Sequence, residues 1–75
     1  MSVRVRLDVM LGRRRMAMAE LADRVGILPD HLDMLRRGEA RALRFSTLEA
    51  LCRELDCQPG DLLSYDAAPE DAGEG

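Results

Sequence analysis

His31 stands between Asp30 and Asp33, and two thiols, Cys52 and Cys57, lie five residues apart. Such groups could hold a metal ion or move a proton, but neither chemistry closes here. A structural zinc site takes four ligands at recognisable spacings, and His31 is far in sequence from both cysteines. A spacing of five on one helix sets the cysteines on different faces, so they read as reduced thiols with Cys52 facing the core. Two of the three residues Asp30, His31 and Asp33 point to different sides of a helix, so they fail as a ligand set. No Ser-His-Asp or Cys-His arrangement and no glycine-rich phosphate loop occurs. The sequence reads as non-enzymatic, with no metal and no cofactor.

What remains is the chemistry of charge. All 11 basic residues are Arg. Arg binds phosphate bidentately where Lys offers a point charge; codon usage toward GC-rich, Ala- and Arg-heavy sequence is the other source of such a set. The formal net charge is −3, yet it is unevenly placed. Asp66, Glu70, Asp71 and Glu74 lie in the last ten residues, leaving 11 basic and 10 acidic residues in 1–65. The body is nearly neutral and carries an acidic end.

These groups must be positioned by a small scaffold. Seventy-five residues make one domain, which buries only about 60% of its unfolded surface, and dimerisation is a natural way to bury more. Aromatic residues are 3% of the chain, so Leu, Ile, Val, Met and Ala must fill the core. Nothing approaches a membrane span, and the N-terminus lacks the apolar stretch of a signal peptide. A cytoplasmic location with no membrane partner is the expectation.

Residues 2–7 alternate apolar and polar with Val3 and Val5, a strand signal. Its partner would be Leu62–Tyr65 or a second subunit. Leu7, Met10 and Leu11 predict a first helix over about 8–15, with Arg13, Arg14 and Arg15 at its negative end. Met18, Leu21, Ala22 and Val25 predict a second over 17–25, stopped by Gly26. Pro29 suits the first position of a third helix, with Leu32 and Leu35 inward and Gly38 beyond its end. Residues 39–45 read as a loop anchored by Leu43 and Phe45. Ser46 and Glu49 have the spacing of a capping box, and Leu48, Leu51, Cys52 and Leu55 give the fourth helix its inner stripe. Pro59 to Leu63 open one more short turn of helix. Met10, Met16 and Met18 read as core filler. Tyr65 suits a subunit interface or a C-terminal anchor. Residues 66–75 are expected to be disordered.

Two short helices joined by a glycine turn and wrapped by short flanking helices make a helix-turn-helix. The residues Glu20-Leu21-Ala22, Val25-Gly26-Ile27, Leu32, Leu35, Gly38 and Phe45 through Cys52 resemble the phage-repressor (Cro/XRE-like) DNA-binding domain. Arg44 to Glu49 and Asp56 to Leu63 are similar to a bacterial subfamily of small single-domain regulators. The resemblance covers about residues 6–65. It implies an all-α, lambda-repressor-like bundle of about five short helices with a short N-terminal strand, residues 1–65 as the domain and 66–75 as its acidic tail.

It also implies that the third helix, about 29–37, enters the major groove of double-stranded DNA. Leu28, Pro29, Asp30, His31, Asp33, Met34 and Arg37 are then the exposed positions. Arg36, Arg37, Arg41 and Arg44, with Arg13 to Arg15, are the candidates for holding phosphates. His31 is either a base-edge contact or a solvated helix residue, and Arg13 to Arg15 either clamp phosphate or form a solvated helix end. The chain differs from the family pattern in having Ala17 and Met18 where a hydroxyl residue and Gln usually open the second helix. Leu28-Pro29 replaces a hydroxyl cap, Glu39 replaces a basic residue, and Asp30 and Asp33 sit on the third helix. The expected function is sequence-specific transcriptional regulation as a homodimer, with the strand at 2–7 as the dimer contact. The alternative is a protein-interaction module, in which Asp30, Asp33, Glu39 and the tail suit a basic partner such as another regulator or a toxin.

Overall fold

The computed structural model describes residues 2–66, with the side chains of 3–65. The order is β1 (Ser2–Val5), α1 (Leu7–Arg14), α2 (Met18–Val25), α3 (Pro29–Arg36), α4 (Phe45–Leu55), α5 (Pro59–Leu62) and β2 (Leu63–Asp66). This is the helical bundle with a short N-terminal strand that the sequence implied. The partner of β1 lies in the same chain: β1 and β2 pair antiparallel, with Val3 opposite Tyr65 and Val5 opposite Leu63. Asp66, grouped above with the tail, closes β2; the disorder expected for the rest of the tail falls on residues 67–75, outside the described residues.

Leucine builds the core. Leu7 and Met10 of α1, Leu21 of α2, Leu32 and Leu35 of α3, Leu51 and Leu55 of α4 and Leu62 of α5 are at most 2% exposed. Each such side chain contributes about 1.5–3 kcal/mol by leaving water. They recur at helical spacings of three and four, so each helix turns one stripe inward. Met16 and Met18 pack on the edge of this core, as the filler reading expected. Phe45 does not anchor the loop: it is 88% exposed. It shares the stripe of Leu48 and Leu55, but that stripe runs past the end of the core.

Two further expectations are corrected. Ser46 does not cap α4, because the helix starts at Phe45, two residues before the start a Ser46 cap implies. Arg44 takes the capping position with extended backbone (φ −71°, ψ 146°) and no side-chain cap bond. The Leu48 N–H then donates to the Arg44 carbonyl at 2.9 Å, placing Ser46 inside the first turn. Nor do the two cysteines lie on different faces. The helix ends at Leu55, and Asp56 turns the chain back in the left-handed region (φ 50°). The Asp56 N–H donates to the Arg53 carbonyl at 3.4 Å and the Cys57 N–H to the Cys52 carbonyl at 3.0 Å, a closure that brings the two side chains together. Both are free thiols, and burial, with Cys52 alongside, pushes the Cys57 thiol up.

Arg14 secures the same corner. Its Nε donates to the Leu55 carbonyl at 2.7 Å and its Nη2 to the Asp56 carbonyl at 2.8 Å. The last carbonyls of a helix lack intrahelical partners, so a guanidinium from α1 fixes the end of α4. Of the three consecutive arginines, Arg14 thus combines an exposed side chain with two bonds to the end of α4.

Candidate nucleic-acid interface

α2, a turn and α3 form the helix-turn-helix. Gly26 closes α2 at φ 85°, a conformation costly for a side chain with Cβ, and its N–H donates to the Ala22 carbonyl at 2.8 Å. Leu28 leads into α3 with extended backbone and no side-chain cap bond, and Pro29 fills the first turn, where its missing N–H has no partner to lose. Gly38 reverses the chain beyond α3 at φ 76°, its N–H donating to the Leu35 carbonyl at 3.1 Å.

Leu32 and Leu35 bury the inner face of α3. Its outer face leaves Pro29, Asp30, His31 and Met34 exposed and Asp33 half-buried. Leu28 is 73% exposed at the entry to this face. The five outer-face residues named from the sequence therefore share one continuous surface.

The charges on that surface are not equivalent. Asp33 accepts from Nε of Arg36 at 2.9 Å and forms an ion pair with Nε of Arg37 at 3.0 Å. Hydrogen bonding from Arg36 holds its carboxyl below the usual carboxylate value and raises the guanidinium in turn; the Arg37 charge lowers Asp33 further. Arg36 also faces Asp8 of α1 at 3.8 Å, and Arg37 faces Glu39 at 3.3 Å. Asp33 is thus a neutralised charge held between two guanidiniums, while Asp30 has no ion pair among the described residues.

Arg41 and Arg44 differ from that pair. Both are exposed, and neither has an ion pair among the described residues. Arg44 and His31 line one open groove of about 440 Å³ between α3 and the start of α4, with Ile27, Leu43 and Thr47. Arg36 and Arg37 line another, of about 460 Å³, on the side of β1 with Arg4, Arg6 and Asp8. The outer face of α3 thus has Arg36 and Arg37 on the side of β1 and Arg44 on the side of α4, while Arg41 lines a third groove with Val3 and Val5 of β1. Sequence reading missed Asp8 and Arg6 on the β1 side; the alternation of residues 2–7 was the available signal, since a strand there must pack somewhere.

Among the described residues no group of His, Cys, Asp and Glu could hold a metal ion, and no helix is long and apolar enough to cross a membrane. The surface offers guanidiniums, one imidazole and a carboxylate around a protruding helix.

Comparisons with known proteins agree with this geometry. A family model described as the Cro/C1-type HTH DNA-binding domain matches residues 6–68. The HTH-type transcriptional regulator YozG of Bacillus subtilis (strain 168) is 49% identical over 73 residues, covering 97% of this chain and 86% of that protein. Among solved structures, the transcriptional regulator VanUg superposes with a TM-score of 0.68 at 28% identity, covering 85% of this chain and 87% of that one. The biofilm master regulator SinR, in complex with DNA, shares the fold with a TM-score of 0.68 at 20% identity, covering 73% of this chain and 87% of its own.

Proposed function

The chain belongs to the Cro/C1-type helix-turn-helix DNA-binding family, and on that premise we propose that it is a sequence-specific transcriptional regulator that binds double-stranded DNA as a homodimer. α3 enters the major groove. Pro29, Asp30, His31, Asp33 and Met34 face base edges, and Arg41 and Arg44 hold phosphates beside them. Residues 1–65 act as the binding domain and 66–75 as an acidic tail that competes for its arginines.

The observation that carries this reading is the groove that Arg44 shares with His31 of α3, together with the exposure of Arg41 and Arg44, which have no ion pair among the described residues. The acidic character of α3 does not oppose it, because Arg36 and Arg37 already neutralise Asp33. Asp30 remains able to accept from cytosine N4. Arg36 and Arg37 then keep Asp33 in place and meet phosphate only when the DNA competes for them.

Selection from a pool of random duplexes tests the proposal. The expected product is a two-fold-symmetric sequence with half-sites about one helical turn apart. His31→Ala should change the selected bases, whereas Arg44→Ala should weaken binding without changing them. Failure to enrich any sequence would overturn it.

A further inference from the structure

The chain has one Phe and one Tyr, and both lie outside the core: Phe45 is 88% exposed and Tyr65 64%. They border the same region. An apolar groove of about 260 Å³ runs between β1, the loop before α4 and the start of α4, walled by Val3, Val5, Leu43, Phe45, Leu48 and Leu63. Tyr65 stands opposite Val3 in the sheet and so projects from the same face. Val3 is itself 58% exposed, and among the described residues Arg41 is the sole charged one on the groove's wall. Large apolar groups gathered in one place on a small domain mark an interaction surface.

We propose that this face is the homodimer interface, the Phe45 ring of each copy entering the apolar groove of the other. The proposal deepens the two-fold reading above and rests on it. Knob and groove belong to one surface, as an isologous contact requires, since a two-fold axis must pair a patch with itself. The rings supply part of the area such a contact needs. Aromatic side chains present about 150–250 Å² each, so at 88% and 64% exposure the two rings leave roughly 300 Å² uncovered per copy. A stable interface takes about 800 Å² from each partner, which the rings would centre and Val3 and the groove walls surround. The face also adjoins the DNA-binding groove, with which it shares Leu35, Ala42 and Leu43. β1 contributes through the face that carries Val3 and not by pairing with a second strand.

Sedimentation velocity on the full chain, with Phe45→Asp and Val3→Asp alongside, tests the interface. Both positions are exposed, and circular dichroism checks that each variant keeps its helices; if one does not, the other decides. The expected result is a wild-type species of twice the 8.4 kDa chain mass and a dissociation constant at least tenfold higher in each variant. A dimer that both folded variants retain would overturn the proposal. So would a monomeric wild type, and a dimer appearing only after deletion of 67–75 would show that the chain's own tail fills the groove. DNA binding is read separately: monomeric variants that still bind one half-site leave the regulator reading intact. Mass changes as expected without any DNA binding would sustain the interface and reject the regulator.

Discussion

Arg36 and Arg37 close α3, and Arg41 and Arg44 lie in the loop that follows; within nine positions the same side chain is used in two ways. The first two share Asp33, and each has a further carboxylate within 4 Å, Asp8 for Arg36 and Glu39 for Arg37. The other two are exposed with no ion pair among the described residues. A guanidinium already matched to a carboxylate must give up that partner to meet a phosphate, whereas a solvated one gives up only water and counterions. Charge counted along the sequence therefore overstates what a polyanion meets at Arg36 and Arg37 and states it fairly at Arg41 and Arg44.

The sharpest way to break this comparison is to remove each pair. Arg41→Ala with Arg44→Ala should weaken binding to every DNA sequence and flatten the log-log salt dependence by about 1.8 units, about 0.9 for each phosphate no longer neutralised. Arg36→Ala with Arg37→Ala should change that slope by much less. Equal slopes in a fluorescence titration over salt would erase the distinction.

Arg14→Ala extends the comparison to a third engaged arginine. Losing the bonds to the Leu55 and Asp56 carbonyls should remove about 1–2 kcal/mol. A domain of this size then melts several degrees lower by calorimetry, with the salt slope of DNA binding unchanged. An unaltered melting temperature would show the α4 corner to be self-sufficient.

A smaller effect is expected from Asp33→Asn, which should release Arg36 and Arg37, steepen the salt dependence and tighten DNA binding several-fold. Acid reports the same pairing. Asp33 titrates below its ordinary 3.8 in the fold, so its contribution to stability is fully present above that pH and is lost as pH falls through the lowered value. Urea unfolding should separate wild type from Asp33→Asn near neutrality and bring them together in strong acid. A gap that persists there would assign the difference to something other than the carboxylate. Smallest of all is deletion of 67–75, which should tighten binding modestly at low salt and not at high salt; no change at either would dismiss competition by the tail.

Much of the scaffold was legible because the inner stripes of α2, α3 and α4 are apolar residues at helical spacing and Gly26 and Gly38 mark two of the ends. The outer face of α3 followed from the same period. Features set by where elements stop were not legible. Phe45 continues the α4 stripe, and only the core's extent shows that nothing lies beneath it. The cysteine pair depends on Asp56 entering the left-handed region, and a periodic extrapolation runs straight through that point. Nothing local separates Arg14 from Arg13 and Arg15, since the carbonyls it reaches lie about forty residues away. The pairing of Asp33 with Arg36 and Arg37 was available in principle, because spacings of three and four place these groups together on a helix.

The most direct test is fluorescence polarisation of the full chain against labelled promoter fragments of its host, at about 50 and 200 mM salt with random DNA as competitor. Binding at the lower salt that weakens steeply at the higher and survives the competitor is the predicted result. Absence of binding at the lower salt would contradict the assignment of α3 as a DNA-reading helix.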